Sequence, residues 1–233
     1  MKLTIIIPVY NEINTIEKLI TKVLNTKFDK QIIIVDDCSY DGTKEIINSL
    51  FKDKVDKIIF HDKNLGKGGA IKSAQKFVEG DYVIIQDADL EYDPKDYKIL
   101  LDEIINKNLK VVYGSRVLTK DKFSNIQNFS HKIRIWGNIF LTSISNLINR
   151  QKLTDAHTCY KLFDSRLFKS IDLCEDDFSF CPEVTTKISL KGIDIIEVPI
   201  NYNGRTYDEG KKIQALDGIK AILTIIKYRF FKL

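Results

Sequence analysis

Little in this sequence would keep it from packing into one body. Four prolines and eleven glycines in 233 residues are too few for a collagen-like, low-complexity or linker-rich chain. The four cysteines, Cys38, Cys159, Cys174 and Cys181, form no CxxC pair, and none stands beside a histidine at zinc-ligand spacing. Reduced, mostly buried thiols are therefore expected, not a disulfide framework or a zinc site. No stretch holds 18 consecutive apolar residues, so no membrane-crossing helix is expected. Met1-Lys2 runs straight into a short apolar segment without a small-residue cleavage site, and no signal peptide is expected. The three histidines are scattered at 61, 131 and 157. They suggest no Ser/His/Asp or Cys/His arrangement, and only His157 lies in a polar cluster, Thr154 to Thr158.

What is present is ordinary for a globular protein: 44% hydrophobic, 10% aromatic and 29% charged residues, enough to bury a full core. Without repeats or linkers, residues 1–233 read as a single domain. A formal charge of +4 is too mild to indicate nucleic acid, which is not an expected partner, but the charge is unevenly spread. Residues 116–152 carry seven Lys and Arg against Asp121 alone, and residues 205–233 carry seven against three acids. The remainder is acidic. That division suggests a metal or sugar site beside an anion-binding surface.

The first half alternates strands and helices. Leu3–Val9, Gln31–Val35, Lys57–Phe60, Asp81–Ile85 and Lys110–Tyr113 read as strands, the most apolar of them buried on both faces. Helical spacing falls between them, with starts at Asp41-Gly42-Thr43, Gly68 and Asp93-Pro94, the last pairing an Asp cap with Pro at the first helical position. This pattern predicts an α/β fold with right-handed crossovers and a mostly parallel, Rossmann-like sheet. The second half is less regular. Residues 132–148, 182–191 and 214–233 read as helices, 153–164 as short strands or a turn, and Ile193–Ile200 as a strand.

In such sheets ligands bind at the carboxyl ends of strands, and the polar clusters fall there. Asp87-Ala88-Asp89 follows a buried strand. Carboxylates at i and i+2 of an extended segment share a side, and their repulsion is relieved by a hard divalent cation, Mg²⁺ or Mn²⁺. Glu91 is a third candidate ligand. Asp36 and Asp37 end another strand, where a carboxylate can accept hydrogen bonds from a ribose or base; Ser39 or Asp41 could simply cap the next helix. Asn64-Leu65-Gly66-Lys67-Gly68-Gly69 is a glycine-rich helix entry. It suits phosphate or close helix–sheet packing equally, without P-loop or GxGxxG spacing, and Lys67 is its best candidate for a ligand contact.

Taken in order, Pro8-Val9-Tyr10-Asn11-Glu12, Asp36-Asp37 with Asp41-Gly42-Thr43, Asn64 to Gly68, Asp87-Ala88-Asp89 and Gly114-Ser115-Arg116 resemble the family 2 glycosyltransferases. The likeness is greatest to the dolichyl- or polyprenyl-phosphate mannosyltransferase branch. Thr154-Asp155 with Thr158 to Lys161, Pro182-Glu183, and Glu197 to Ile200 with Arg205 and Lys211-Lys212 extend it through the second half. The resemblance implies a GT-A fold, with a nucleotide-sugar half at 1–116 and an acceptor half at 117–233. It implies a donor of GDP-mannose or UDP-glucose type near Pro8, Tyr10, Glu12, Asp36, Asp37, Lys67 and Asp87, and a metal on Asp87, Asp89 and Glu91. Glu91 departs from the glutamine common in the mannosyl branch.

The implied reaction is an inverting displacement at the sugar C1. A lipid-phosphate acceptor is already ionised and needs cations, for which Arg116, Arg134, Arg205, Lys211 and Lys212 are candidates. A hydroxyl acceptor, as in polysaccharide or glycolipid assembly, needs a base, with Asp155 or Glu183 the candidates. Asp89, Arg116, Asp155 and Glu183 thus make up the expected catalytic set. A non-catalytic nucleotide-binding subunit is the third reading. Apolar and basic residues in 132–148 and 214–233 suggest helices lying on the cytoplasmic face of a membrane, or packing in the core, a homodimer or against a small membrane-protein partner.

Overall fold

The computed structural model describes residues 1–118, 129–205 and 215–231, and the side chains within them except those of 129–135 and 215. Seven strands form one sheet: β1 (Lys2–Val9), β2 (Asp29–Asp36), β3 (Lys57–Phe60), β4 (Tyr82–Ile85), β5 (Val111–Ser115), β6 (Lys161–Asp164) and β7 (Ile196–Pro199). Their spatial order is β3-β2-β1-β4-β6-β5-β7. Every neighbouring pair is parallel except the two made by β6. The sheet is thus mostly parallel, as the alternating pattern predicts. Ile5, Ile6 and Ile7 of β1 and Ile32 to Val35 of β2 are all buried. Consecutive buried residues mean that both faces are covered, which is why these strands lack polar alternation.

The helices are α1 (Ile16–Leu24), α2 (Thr43–Phe51), α3 (Gly66–Gln75), α4 (Tyr97–Asn106), α5 (Phe129–Asn149), α6 (Ser165–Lys169), α7 (Phe180–Leu190) and α8 (Ala215–Phe230). Asp93 accepts a hydrogen bond from Lys95 N at 3.0 Å and opens a 3-10 turn over Pro94–Asp96 that leads into α4, as the Asp-Pro pair predicts. Three expectations are adjusted. The stretch 153–164 contains one strand, β6, and it enters the middle of the sheet. α6 follows directly, capped by Asp164 accepting from Leu167 N at 3.0 Å, and was not foreseen. The helix expected to start at Gly68 begins at Gly66.

Glycines 66 and 68 also do something other than expected. A Cβ on Gly66 would lie 2.5 Å from Asp176 O, and one on Gly68 2.2 Å from Glu175 O. Gly66 in addition has φ +86°, where side chains are costly. What these glycines admit is the backbone of the 175–177 turn from the second half of the chain, not the sheet. Gly69 N donates to Asp176 O at 2.9 Å, and Lys72 pairs with Asp176. The same turn holds α8 through Lys220–Asp177 and Lys227–Glu175, both 2.8 Å.

Candidate active site

The strand order places β2 on one side of β1 and β4 on the other, so a crevice opens at the carboxyl ends of β1 and β4. Three turns shape its rim, and each contains a non-glycine residue in left-handed backbone conformation: Asn11 (φ 50°) after β1, Cys38 (φ 66°) after β2 and Leu90 (φ 63°) after β4. Such strain persists only where surrounding bonds enforce it. Here they do. Asn11 N donates to Ser39 Oγ, Tyr40 N to Asn11 Oδ1, Glu12 N to Thr43 Oγ1 and Ile13 N to Asp41 Oδ2, all at 2.9–3.1 Å. Asp41 and Ser39 are therefore braces between the first two strand ends.

The donor-side residues are brought together unequally. Pro8 is buried in β1, while Tyr10 sits at the rim edge-on to exposed Tyr40, with ring centroids 6.1 Å apart. Asp36 is fully buried; Oδ2 accepts from Ser39 N at 3.2 Å, Oδ1 meets no hydrogen-bond donor, and burial raises its pKa. Asp37 is committed to the next loop. It accepts from His61 Nδ1 at 2.7 Å, Leu65 N at 2.8 Å and Gly66 N at 2.7 Å. His61 Nε2 lies 2.9 Å from Ser73 Oγ, so Asp37, His61 and α3 fix the entry that carries Lys67. Sequence reasoning gave His61 no role. Its position directly after Phe60, at the end of the third parallel strand, is the available signal.

Lys67 reaches Asp87 at 2.6 Å. Burial opposes its charge, but Asp87 more than compensates together with weaker neighbours, and the lysine pKa stands well above its usual value. Asp87 is positioned from below by Gln86, also missed in the sequence. The buried Gln86 amide donates to Asp87 O at 2.9 Å and accepts from Tyr97 OH at 2.5 Å and Tyr160 OH at 2.6 Å. Asp89 accepts from Glu91 N at 3.1 Å and from Arg205 Nη2 at 3.1 Å. Burial, followed by the charges of Asp87 and Glu91, pushes the Asp89 pKa to about 7 even against Arg205.

Arg205 also forks onto Glu12, with Nη1–Oε2 3.0 Å and Nη2–Oε1 3.1 Å. Glu91 is turned toward the same segment, accepting from Arg205 N at 2.7 Å and Tyr202 OH at 2.8 Å. Among the described residues no three His, Cys, Asp or Glu side chains stand close enough to hold a metal ion. The donor set itself suits a hard cation. It is all oxygen, and Asp87 and Glu91 add to burial in raising the Asp89 pKa.

Arg116 and Asp155 form the second centre. Arg116 Nε–Oδ2 is 2.6 Å, Nη2–Oδ1 2.8 Å, and Arg116 N donates to Oδ2 at 3.1 Å; Asn138 Nδ2 adds 3.0 Å to Oδ1. Burial would raise the Asp155 pKa, but Arg116 and these hydrogen bonds bring it down to about 2. Glu197 accepts from Thr154 N and Asp155 N at 2.6 and 2.9 Å, holding the loop in place. The Arg116 guanidinium lies 5.1 Å from the Tyr202 ring centroid, a stacking contact that joins the two centres.

The other expectations fare differently. Glu183 is fully buried, and its oxygens accept from Cys174 N at 2.7 Å, Glu175 N at 3.0 Å and Lys187 Nζ at 2.7 Å. In place of an accessible base it is the brace of the 172–175 segment. Arg134 falls on α5, with a side chain outside the described residues; Lys211 and Lys212 lie outside them altogether. On α5, Thr142, Ser145 and Asn149 are buried while Trp136 and Leu147 are 71% and 83% exposed. On α8, Leu216, Ile219, Leu223 and Phe230 are exposed. The two helices meet at Gly218 and Leu141. Among the described residues no helix is long and apolar enough to cross a membrane.

The family model described as Glycosyl transferase family 2 matches residues 4–172. A UDP-N-acetylglucosamine–dolichyl-phosphate N-acetylglucosaminyltransferase of Methanococcus voltae is 28% identical, over 98% of this chain and 96% of that protein. A dolichol-phosphate mannosyltransferase of Pyrococcus furiosus is also 28% identical, over 91% of this chain and 59% of that protein. Among solved structures, glucosyl-3-phosphoglycerate synthase of Mycobacterium tuberculosis, in complex with Mn²⁺, UDP and phosphoglyceric acid, superposes with a TM-score of 0.68. It covers all of this chain and 80% of that one at 15% identity, a likeness of fold alone.

Proposed function

The chain belongs to glycosyl transferase family 2, with a GT-A fold, and from that premise we propose that it moves a hexose from a nucleotide-sugar to a polyprenyl or dolichyl phosphate. The observation that carries the acceptor class is the Arg116–Asp155 pair. A hydroxyl acceptor would have to give up its proton, and the carboxylate expected to take it, Asp155, is held by a forked guanidinium with its pKa at about 2. Such a group is a poor base near neutrality. A phosphate monoester arrives ionised and needs none. The relatives in M. voltae and P. furiosus, whose names give dolichyl phosphate or dolichol phosphate, support the same acceptor. Their names give different sugars, so the donor is assigned only as a nucleotide-linked hexose, of GDP-mannose or UDP-glucose type or an N-acetylated relative.

In this reading Tyr10 and the ends of β1 and β2, including Pro8, Glu12 and the Asp36 carboxylate, receive the nucleoside. Asp37 acts by holding the Lys67 loop. Asp87 and Asp89, with Glu91 after a side-chain turn, would hold Mg²⁺ or Mn²⁺. When bound, that ion neutralises charge developing on the departing diphosphate. Arg116 and Arg205, with Arg134, Lys211 and Lys212 as further candidates, orient the acceptor phosphate by charge-assisted hydrogen bonds. One phosphate oxygen attacks C1 in line, the C1–O bond to the diphosphate breaks, and its electron pair leaves with the nucleoside diphosphate. The anomeric configuration inverts. Exposed apolar residues of α5 and α8 would rest on the cytoplasmic face of the membrane that contains the lipid.

The test is transfer of radiolabel from GDP-mannose, UDP-glucose and UDP-N-acetylglucosamine to a short polyprenyl phosphate, using purified protein with Mn²⁺ or Mg²⁺. Acid-labile label in the organic phase from one of the donors is expected. Donor hydrolysis without lipid product would return the acceptor to the hydroxyl class.

A further inference from the structure

The acidic floor of the crevice is held by protein cations and by the 202–205 segment. Lys67 takes Asp87. Arg205 bridges Glu12 and Asp89 with one guanidinium, and its backbone N–H together with the Tyr202 hydroxyl takes both oxygens of Glu91. Glu12 lies 77 residues before Asp89 in sequence, on a different strand end, so the guanidinium spans the crevice from β1 to β4. A divalent cation on Asp89 and Glu91 would compete for oxygens that Arg205 and its peptide N–H already engage.

We propose that Arg205 is the resident counter-ion of this site, exchanged for the divalent metal when its guanidinium transfers from Glu12 and Asp89 to the phosphate of the acceptor. The inference rests on the reading of Asp89 as a metal ligand given above. Arg205 suits the exchange because a guanidinium fork matches carboxylate and phosphate equally well. It differs from a metal in offering no open coordination position for the donor's diphosphate. Metal and acceptor phosphate both require the same release of Arg205, so whichever binds first removes that cost for the other. Linkage then makes their binding mutually favourable. The protein thus discourages metal-activated donor from accumulating, exposed to water, before an acceptor is in place.

The experiment uses the full chain without nucleotide, titrated with Mn²⁺ and read by the electron paramagnetic resonance signal of the free ion. Arg205→Gln is expected to bind Mn²⁺ roughly tenfold more tightly than the unmodified protein, a coupling of ordinary size. Arg205→Lys, which keeps the charge but not the fork, should fall between them. Farnesyl phosphate should tighten Mn²⁺ binding to the unmodified protein by a similar factor and leave Arg205→Gln unchanged; inorganic phosphate in a parallel arm separates headgroup chemistry from the lipid tail. Thermal melting with and without Mn²⁺ supplies a second readout, the gain in melting temperature being larger for the variant. Equal Mn²⁺ affinity in all three proteins would overturn the exchange while leaving the metal assignment standing. So would coupling to farnesyl phosphate that persists in Arg205→Gln, since it would arise from direct metal–phosphate contact. Absence of Mn²⁺ binding at millimolar concentration in every protein would remove the metal assignment and this inference with it.

Discussion

α1 and the pair α5 and α8 use amphipathic patterning in opposite senses. α1 buries Ile16, Leu19, Ile20 and Val23 and shows Glu17, Lys18 and Thr21 to water. α5 buries Thr142, Ser145 and Asn149 and shows Trp136, Phe140 and Leu147; α8 buries Thr224 alongside Ala221, Ile225 and Tyr228 while Leu216, Ile219, Leu223 and Phe230 point outward. Water alone would not favour the second arrangement, because large apolar side chains gathered on one surface mark a site of association. The apolar face of α1 is thus covered by folding. α5 and α8 instead turn apolar side chains outward, in a half of the sequence whose acids are fewer, so that its formal charge is positive while that of residues 1–116 is slightly negative.

The comparison can be broken or sharpened by substitution. The largest effect is expected at the donor side: Asp89→Asn should lower lipid-linked product formation by roughly a thousand-fold, measured as initial rates at saturating donor. Arg116→Met tests the acceptor side. It strands the fully buried Asp155 charge and should cost roughly 3–5 kcal/mol of stability in urea unfolding. Ile20→Ala, a cavity on the inward face of α1, should cost about 2–5 kcal/mol. By contrast, Phe140→Ser and Leu223→Ser on the outward faces should change stability by less than about 0.5 kcal/mol. Each should instead weaken co-sedimentation with anionic vesicles by roughly tenfold, the worth of burying such a side chain. Unchanged vesicle binding would remove the contrast between the helices.

A further effect concerns acid. The Asp155 pKa of about 2 lies below its ordinary value of 3.8. The folded state therefore gains stability that is fully present above pH 4 and lost as the pH falls toward 2. The amount is about 2 kcal/mol, and Arg116→Met should abolish this part of the acid sensitivity.

The first half was the more legible. Isoleucine runs and the polar residues that end them read directly as buried parallel strands with ligands at their carboxyl ends, and β3 falls on Lys57–Phe60 as expected. Asp87 and Asp89 stand out because charge directly after a buried strand is conspicuous, and Lys67 because it interrupts a glycine-rich helix entry. What escaped was pairing across long separations. That Arg205 would meet Glu12, that Glu183 would brace Cys174 and Glu175, and that Asp37 would be occupied by His61 depend on side-chain packing, which has no local period. Lys161–Asp164 was ambiguous because four residues are too few to show alternation. Its antiparallel entry between β4 and β5 is a tertiary fact.

That entry governs how the chain can be assembled. β5, made fifth, pairs with β6 and β7 and has no place beside β4. A ribosome-bound chain of about 120 residues can therefore complete β1 to β4 but must leave Val111–Ser115 waiting, with the Tyr82–Ile85 edge open. Closure comes only when Lys161–Asp164 emerges, after the whole of α5 has been synthesised. Until then an apolar strand edge is left open, a site prone to aggregate. A truncated first half would not be a minimal nucleotide-binding module. It would keep the Tyr82–Ile85 edge open and Val111–Ser115 without its neighbours in the sheet.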